Sequence, residues 1–228
     1  SVITYKDLSL AYDRIQYGDK SNIKMTENEK LWTAYHEAGH AIIGYLLHPT
    51  DDVIKATIIP RKGSLGMVSS RPIEEIYSDT RETLMADIKR IVAAYVAEKI
   101  QFGSTSSGVG GGPGSDFDQA MRIAFNMVYS FGMGRSGLMG DFRALKTYDG
   151  IYNISEKTKQ TLDEDVQHII KSCMEEVEEI LRKRKDLLDH FAKELMDKGE
   201  LEYDEIEEIF KRFNLKPLSR PTIKKSDA

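Results

Sequence analysis

Two histidines spaced four residues apart constrain this 228-residue chain more than any other feature. The stretch His36-Glu37-Ala38-Gly39-His40 has the pattern His-Glu-x-x-His. Because residues four apart lie on the same face of an α-helix, a helix here directs both imidazoles toward one point. The pattern therefore predicts a helix that carries a metal site, and imidazole ligands favour zinc.

The residues around the motif predict that helix. Thr26 and Glu29 have the spacing of a capping box, which marks a helix start. Apolar residues then recur with helical spacing, and the run ends at His48-Pro49, because the residue before proline avoids the helical conformation. We therefore predict one helix of about five turns that contains the whole motif.

The motif also predicts the chemistry of its residues. His36 and His40 are expected to bind Zn²⁺, and Glu37 is expected to take a proton from a water that zinc activates. That water would attack the carbonyl of a peptide bond without a covalent intermediate. The sequence thus predicts a zinc-dependent endopeptidase.

A catalytic zinc site has three protein ligands, and the sequence leaves the third one open. The zinc peptidases that carry a third histidine six residues after the second are excluded, because that position is Leu46. The remaining candidates are Glu98, Asp116 and Asp118. Asp116 has the best local argument, because a glycine-rich loop delivers it to the start of a predicted helix, and Glu98 is its main rival.

Three other histidines and the single cysteine are expected to lie outside the site. His48 follows the end of the motif helix, and His168 and His190 fall in C-terminal helices where a solvent-facing position is expected. Cys173 is expected to pack in the core and cannot form an intrachain disulfide. The ligand set therefore has to be completed by a carboxylate.

The rest of the chain predicts a mainly α-helical α+β fold with a small β-sheet, in which the motif helix precedes a C-terminal helical bundle. The strands are expected at residues 53–59 and 65–70, and the further helices at residues 80–102, 115–131, 155–184, 185–198 and 203–213. A sheet beside the motif helix offers an edge to an extended peptide, although a purely structural hairpin fits the sequence equally well.

Four segments are predicted along the chain. They are a helix within residues 1–18 and a linker, which together cover residues 1–25, a zinc peptidase core over residues 26–145, a C-terminal helical part over residues 146–215 and a polar tail over residues 216–228. The formal net charge of −5 predicts no nucleic-acid partner. The longest apolar run, residues 41–47, is too short to cross a bilayer.

The motif and the residues after it resemble the FtsH family, the membrane-anchored AAA proteases of bacteria, mitochondria and plastids. The resemblance covers about residues 4 to 213 and rests on TAYHEAGHA at 33–41, TIIPR at 57–61, LG at 65–66, Ala97-Glu98, Asp116 with NMV at 126–128, and Ser155 with DEDV at 163–166. It implies that His36, His40 and Asp116 bind Zn²⁺ and that Glu37 is the catalytic base.

The resemblance also implies a larger assembly. The peptidase domains of the family form a ring of six, so a homo-hexamer is expected. A membrane anchor and an ATPase module, which binds ATP and Mg²⁺, would precede this chain. The substrates would be unfolded or damaged polypeptides, including membrane proteins. The peptidase domain would face the cytoplasm in a bacterium, or the matrix, intermembrane space or stroma in an organelle.

Two other functions compete with this interpretation. The first is a zinc-bound assembly domain that forms hexamers without cutting, and the presence of Glu37 argues against it. The second is a stand-alone soluble zinc peptidase. The family resemblance over residues 4–18 argues against that function, because it leads us to expect that the chain is part of a longer protein.

Overall fold

The computed structural model describes residues 11, 14–15, 18–61, 63–147 and 153–218. Within these ranges the protein has six α-helices and one antiparallel three-stranded sheet, which confirms the predicted α+β class. In chain order the elements are α1 (Glu27–Leu47), β1 (Asp51–Thr57), β2 (Met67–Pro72), α2 (Arg81–Phe102), α3 (Asp116–Tyr129), α4 (Glu156–Lys183), α5 (Lys185–Lys198), β3 (Glu200–Glu202) and α6 (Tyr203–Arg212).

The motif helix α1 begins and ends where the sequence predicts. The capping box is present, with the Glu29 amide 3.2 Å from Thr26 Oγ1 and the Thr26 amide 2.7 Å from Glu29 Oε2. The helix ends at Leu47, immediately before the His48-Pro49 pair. All five residues of the motif therefore lie inside one continuous helix.

The sheet differs from the prediction in the bounds of its strands and in strand number. β1 and β2 lie about two residues from their predicted positions, because polar Asp51 and Asp52 pair with Pro72 and Arg71 at the exposed end. The third strand, β3, was missed, since its three residues are too few to show a period. The sheet order is β2-β1-β3, so β2 forms one edge.

The core lies between α1 and the helices packed around it. α1 packs on α2 and α5, and α2 packs in turn on α3 and α4. The buried apolar side chains of all these helices form one cluster.

The predicted division into a peptidase core and a C-terminal helical part stays a prediction. The helix predicted within residues 1–18 lies almost entirely outside the described residues. No helix of the described ranges combines the length and apolar character needed to cross a bilayer.

The contact between α1 and α2 is close because of Gly39. A Cβ atom at this residue would lie 2.6 Å from the main-chain oxygen of Ala93 and 2.9 Å from Ala97 Cβ. Only glycine therefore lets the two helix backbones approach this closely. This close approach places His36 and His40 of α1 against α2.

We predict that Gly39→Ala destabilises the protein by about 1–3 kcal/mol, the usual cost of overpacking, despite the better helix propensity of alanine. Gly44→Ala is the matched control on the same helix. Its Cβ would meet only side-chain atoms, Val53 Cγ2 at 3.1 Å and Arg90 Cδ at 3.2 Å, so the expected loss is smaller. Urea unfolding measures both free energies, and equal values would refute the close-packing argument.

Candidate active site

The side chains of His36, His40 and Asp116 converge on one point. The histidines lie one turn apart on α1, and Asp116 is the first residue of α3. The two histidine Nε2 atoms are 3.3 Å apart, and Asp116 Oδ2 lies 3.2 Å from His36 Nε2 and 3.5 Å from His40 Nε2. The structure thus brings together the three residues that the family resemblance implied as ligands.

Each imidazole is oriented by a hydrogen bond at its Nδ1 atom. His36 Nδ1 lies 2.8 Å from Glu98 Oε1, and His40 Nδ1 lies 2.8 Å from the main-chain oxygen of Arg90. A carboxylate and a carbonyl oxygen only accept, so the hydrogen of each ring sits on Nδ1. When the ring is neutral, as in a metal ligand, its lone pair is therefore on Nε2, which faces Asp116.

Three acceptor atoms that face one another require a positive charge between them. Asp116 Oδ2 is buried and has no hydrogen-bond donor. A tetrahedral zinc ion with bonds of about 2.0–2.1 Å separates its ligand atoms by about 3.3 Å, and the three observed separations are 3.2, 3.3 and 3.5 Å. The residues therefore fit a zinc ion.

The electrostatics of the cluster also favour a positive charge. Burial alone would lower the pKa of His36, but the nearby carboxylates of Asp116, Glu98 and Glu37 stabilise a positive charge on the ring and raise the pKa to about 10. Burial acts to raise the pKa of Asp116, but the two histidines hold it well below its usual range. The cluster is thus arranged to bind a cation.

Glu98 lies behind His36 rather than among the converging atoms. It is almost fully buried and accepts hydrogen bonds from His36, from the Ser106 amide at 2.5 Å and from Ser106 Oγ at 3.0 Å. A carboxylate that holds the second nitrogen of a ligating histidine fixes the orientation of the ring. This placement favours Asp116 over Glu98 as the third ligand.

Asp118, the third carboxylate candidate, has a different role. Its side chain accepts hydrogen bonds from the Gly114 amide at 2.8 Å and from Arg122 Nε at 3.1 Å. Ser115 is the N-cap residue of α3, and its side chain makes no capping hydrogen bond. Gly114 has a φ of 84°, a left-handed backbone conformation that favours glycine. The loop therefore enters α3 through a left-handed glycine whose amide is hydrogen-bonded to Asp118. This turn places Asp116 at the helix start.

Glu37 lies beside the converging atoms and is nearly inaccessible to solvent, with 5% of its surface exposed. Burial raises the pKa of its carboxyl group, although the neighbouring His36 and His40 act to lower it. Gly66, just before β2, passes directly over this side chain, since a Cβ there would lie 2.6 Å from Glu37 Oε1. The sequence resemblance included Gly66, but its contact with Glu37 was not predicted.

A cleft of about 1070 Å³ opens over the cluster. Its walls are α1, the loop that leads to Asp116, and the start of the edge strand β2 with Met67 and Val68. The cleft is therefore bounded on one side by a strand edge that has no further strand beside it in the described part of the chain.

The remaining histidines lie away from the cluster, as expected. His168 is exposed and contacts Arg135, with 3.2 Å between Nδ1 and Nη1. His190 is partly buried rather than solvent-facing. His48 is buried and is the C-cap residue of α1. Its ring accepts a hydrogen bond from the Asp51 amide at 3.0 Å, which stabilises the turn between α1 and β1.

Comparison with known proteins gives consistent matches over nearly the whole chain. The family model described as peptidase family M41 matches residues 23–209. The protein called ATP-dependent zinc metalloprotease FtsH is 36% identical in Borreliella burgdorferi over 215 residues, which cover 91% of this chain and 33% of the relative. In Chlorobium luteolum a protein of the same name is 33% identical over 214 residues, which cover 91% of this chain and 30% of the relative. The chain spans about a third of the length of these relatives.

We predict that Asp116→Asn and Glu98→Gln weaken zinc binding to different extents. Loss of a residue that orients a ligand typically costs 10–100-fold in metal affinity, so we expect about that loss for Glu98→Gln. Asp116→Asn should cost more, because it removes a negatively charged ligand. Asp204→Asn, at the exposed start of α6, is the matched control and should bind zinc like the wild type. Competition with a chromogenic chelator measures all four affinities, and a larger loss in Glu98→Gln would reverse the assignment.

Proposed function

The chain belongs to peptidase family M41, and we propose that it cuts unfolded polypeptides as a zinc-dependent endopeptidase whose centre is His36, His40 and Asp116. The membership confirms the predicted FtsH resemblance and the predicted class of metallopeptidase. The observation that carries the proposal is the convergence of three acceptor atoms beside the buried carboxylate of Glu37.

The roles of the side chains follow from their positions. When bound, zinc supplies a Lewis acid for the peptide carbonyl and lowers the pKa of a water to about 7. Glu37 accepts the proton of the attacking water and passes it to the leaving nitrogen of the peptide. Burial, which raises the pKa of Glu37, makes it a stronger base than an exposed carboxylate. Glu98 and the Arg90 carbonyl keep both imidazoles in the orientation that binds the metal.

The cleft favours an extended substrate. An extended peptide can add to an exposed strand edge through main-chain hydrogen bonds, and β2 presents such an edge beside Glu37. Of the two interpretations of the hairpin that the sequence left open, this position supports the binding edge. Most main-chain groups of a folded protein already pair with one another, so the substrate would be an unfolded segment whose main chain is free to pair with β2.

The larger assembly is also part of the proposal. The relatives are named ATP-dependent zinc metalloproteases, and we propose that this chain supplies the peptidase activity of a protease of that kind. The family resemblance supplies the other parts of this proposal. They are an ATPase module that binds ATP and Mg²⁺, a homo-hexameric ring, a membrane anchor, and a choice of damaged or membrane-derived substrates.

We predict that Glu37→Gln abolishes cleavage while zinc stays bound. Loss of a general base costs typically 10²–10⁴-fold in rate, whereas a neutral amide at this position leaves the three ligands intact. Glu27→Gln, at the exposed start of the same helix, is the matched control and should cleave at the wild-type rate. The measurements are zinc content and hydrolysis of unfolded casein. A wild type that binds zinc and never cuts would instead support the assembly-domain alternative.

The edge-strand mode predicts a pattern in the substrate backbone. Alternate amides of an added strand face the sheet, so N-methylation of those amides removes hydrogen bonds, while methylation of the intervening amides does not. We expect peptides of the first kind to be cut about threefold to tenfold more slowly for each lost bond. Rates of hydrolysis for the two methylated series test this, and identical rates would rule out strand addition.

A further inference from the structure

Trp32 lies on the wall of the cleft, one helical turn before His36. Residues four apart on a helix share a face and are separated by about 6 Å along its axis. An extended peptide advances about 3.3 Å per residue, so a peptide that runs along α1 with its scissile bond beside His36 has a side chain near Trp32 about two residues away.

The indole ring of Trp32 is held in place from one side. It stacks on Phe102 at the end of α2, with ring centroids 3.9 Å apart and planes inclined by 19°. Phe102 in turn meets the ring of Tyr35 edge-on, with centroids 5.5 Å apart. The same Trp32 side chain also lines the cleft. A rigid aromatic surface of this kind binds apolar groups at a low cost in conformational entropy.

A second apolar side chain, Ile23, lines the same cleft. It is 55% exposed, and it lies in the segment before α1, which is fixed at both ends. The Ser21 amide donates to the Pro60 carbonyl at 2.8 Å, and Thr33 Oγ1 lies 3.8 Å from Met25 Sδ. Ile23 is therefore an exposed apolar group held on the cleft wall, without being part of the core.

The loop after α2 ties this region to the proposed metal ligands. Ser106 lines the cleft and binds Glu98 through both its amide and its hydroxyl, and Glu98 binds His36. Trp32 is fixed relative to His36 because both lie on α1 and because its ring stacks on Phe102 at the end of the α2 helix that carries Glu98. A peptide side chain bound there would be placed at a defined number of residues from the cut.

We propose that Trp32 and Ile23 form a subsite for one large apolar or aromatic side chain of the polypeptide substrate, about two residues from the scissile bond. The subsite rests on the proposed peptidase function and adds a sequence preference to it. Binding in the cleft buries the apolar faces of Trp32 and Ile23 against the substrate side chain, so peptides with a small or charged residue at that position are cut more slowly.

The fluorescence of Trp32 tests this contact directly, because it is the single tryptophan of the chain. The protein used is the zinc-loaded Glu37→Gln variant, and the probes are peptides that the wild type cuts at one known bond. Each peptide carries p-nitrophenylalanine, a quencher, at a different position. We expect the strongest quenching when the quencher lies about two residues from the scissile bond on one side. Quenching that is absent, or equal at all positions, overturns the proposal.

Cleavage preference gives the second test. We expect Trp32→Ala to lower the ratio of kcat/KM for Phe over Ala at the subsite position by about tenfold, and Trp32→Phe to retain most of it. Phe131→Ala is the matched control, because Phe131 is exposed and does not line the cleft, and its ratio should equal that of the wild type. A variant that lost only stability would cut both peptides more slowly and leave the ratio unchanged.

The outcomes separate this inference from the proposed function. If the wild type binds zinc but cuts no peptide, both the peptidase function and the subsite are overturned. If the wild type cuts and Trp32→Ala keeps the wild-type ratio at every position, the subsite alone is overturned and the peptidase function stands.

Discussion

The close packing of α1 on α2 is the contact on which the candidate site depends. Gly39 allows the two backbones to meet at Ala93, and the histidines before and after Gly39 contact residues of α2 on either side of Ala93. His40 reaches the carbonyl of Arg90, and His36 reaches Glu98. A wider separation of the helices would leave both imidazoles without a hydrogen bond at Nδ1, and their orientation toward Asp116 would be lost.

The segments that complete the site also form the cleft. Gly66 carries the chain across Glu37 into the edge strand β2, so the buried base and the strand edge lie next to each other. The loop after α2 binds Glu98 through Ser106 and then delivers Asp116 to the start of α3. A substrate in the cleft therefore contacts main chain and side chains whose positions are set by the same hydrogen bonds that orient the proposed metal ligands.

The sequence predicted the features that depend on local spacing. The motif, the capping box at Thr26 and the proline after His48 determine α1 without any tertiary contact, and the structure confirms this helix. Spacing could not choose between Asp116 and Glu98, because the choice depends on which side of His36 each carboxylate approaches. A three-residue strand such as β3 is formed by its pairing with β1 and has no period of its own.

Tertiary contacts also explain the roles that the sequence analysis missed. Glu98 was considered only as a ligand, yet it is buried, is held by Ser106 and accepts the hydrogen bond that orients His36. Gly66 and Trp32 have no local signal of function, because one matters through its approach to Glu37 and the other through its stacking on Phe102. Such roles can be recognised only when distant parts of the chain are brought together.

A crystal structure of the zinc-loaded protein, measured at the zinc absorption edge, tests the central claim most directly. The account predicts one anomalous peak per chain, about 2.0–2.2 Å from His36 Nε2, His40 Nε2 and a carboxylate oxygen of Asp116, with Glu98 on the Nδ1 side of His36. A peak coordinated by Glu98, or one away from the two histidines, would contradict it.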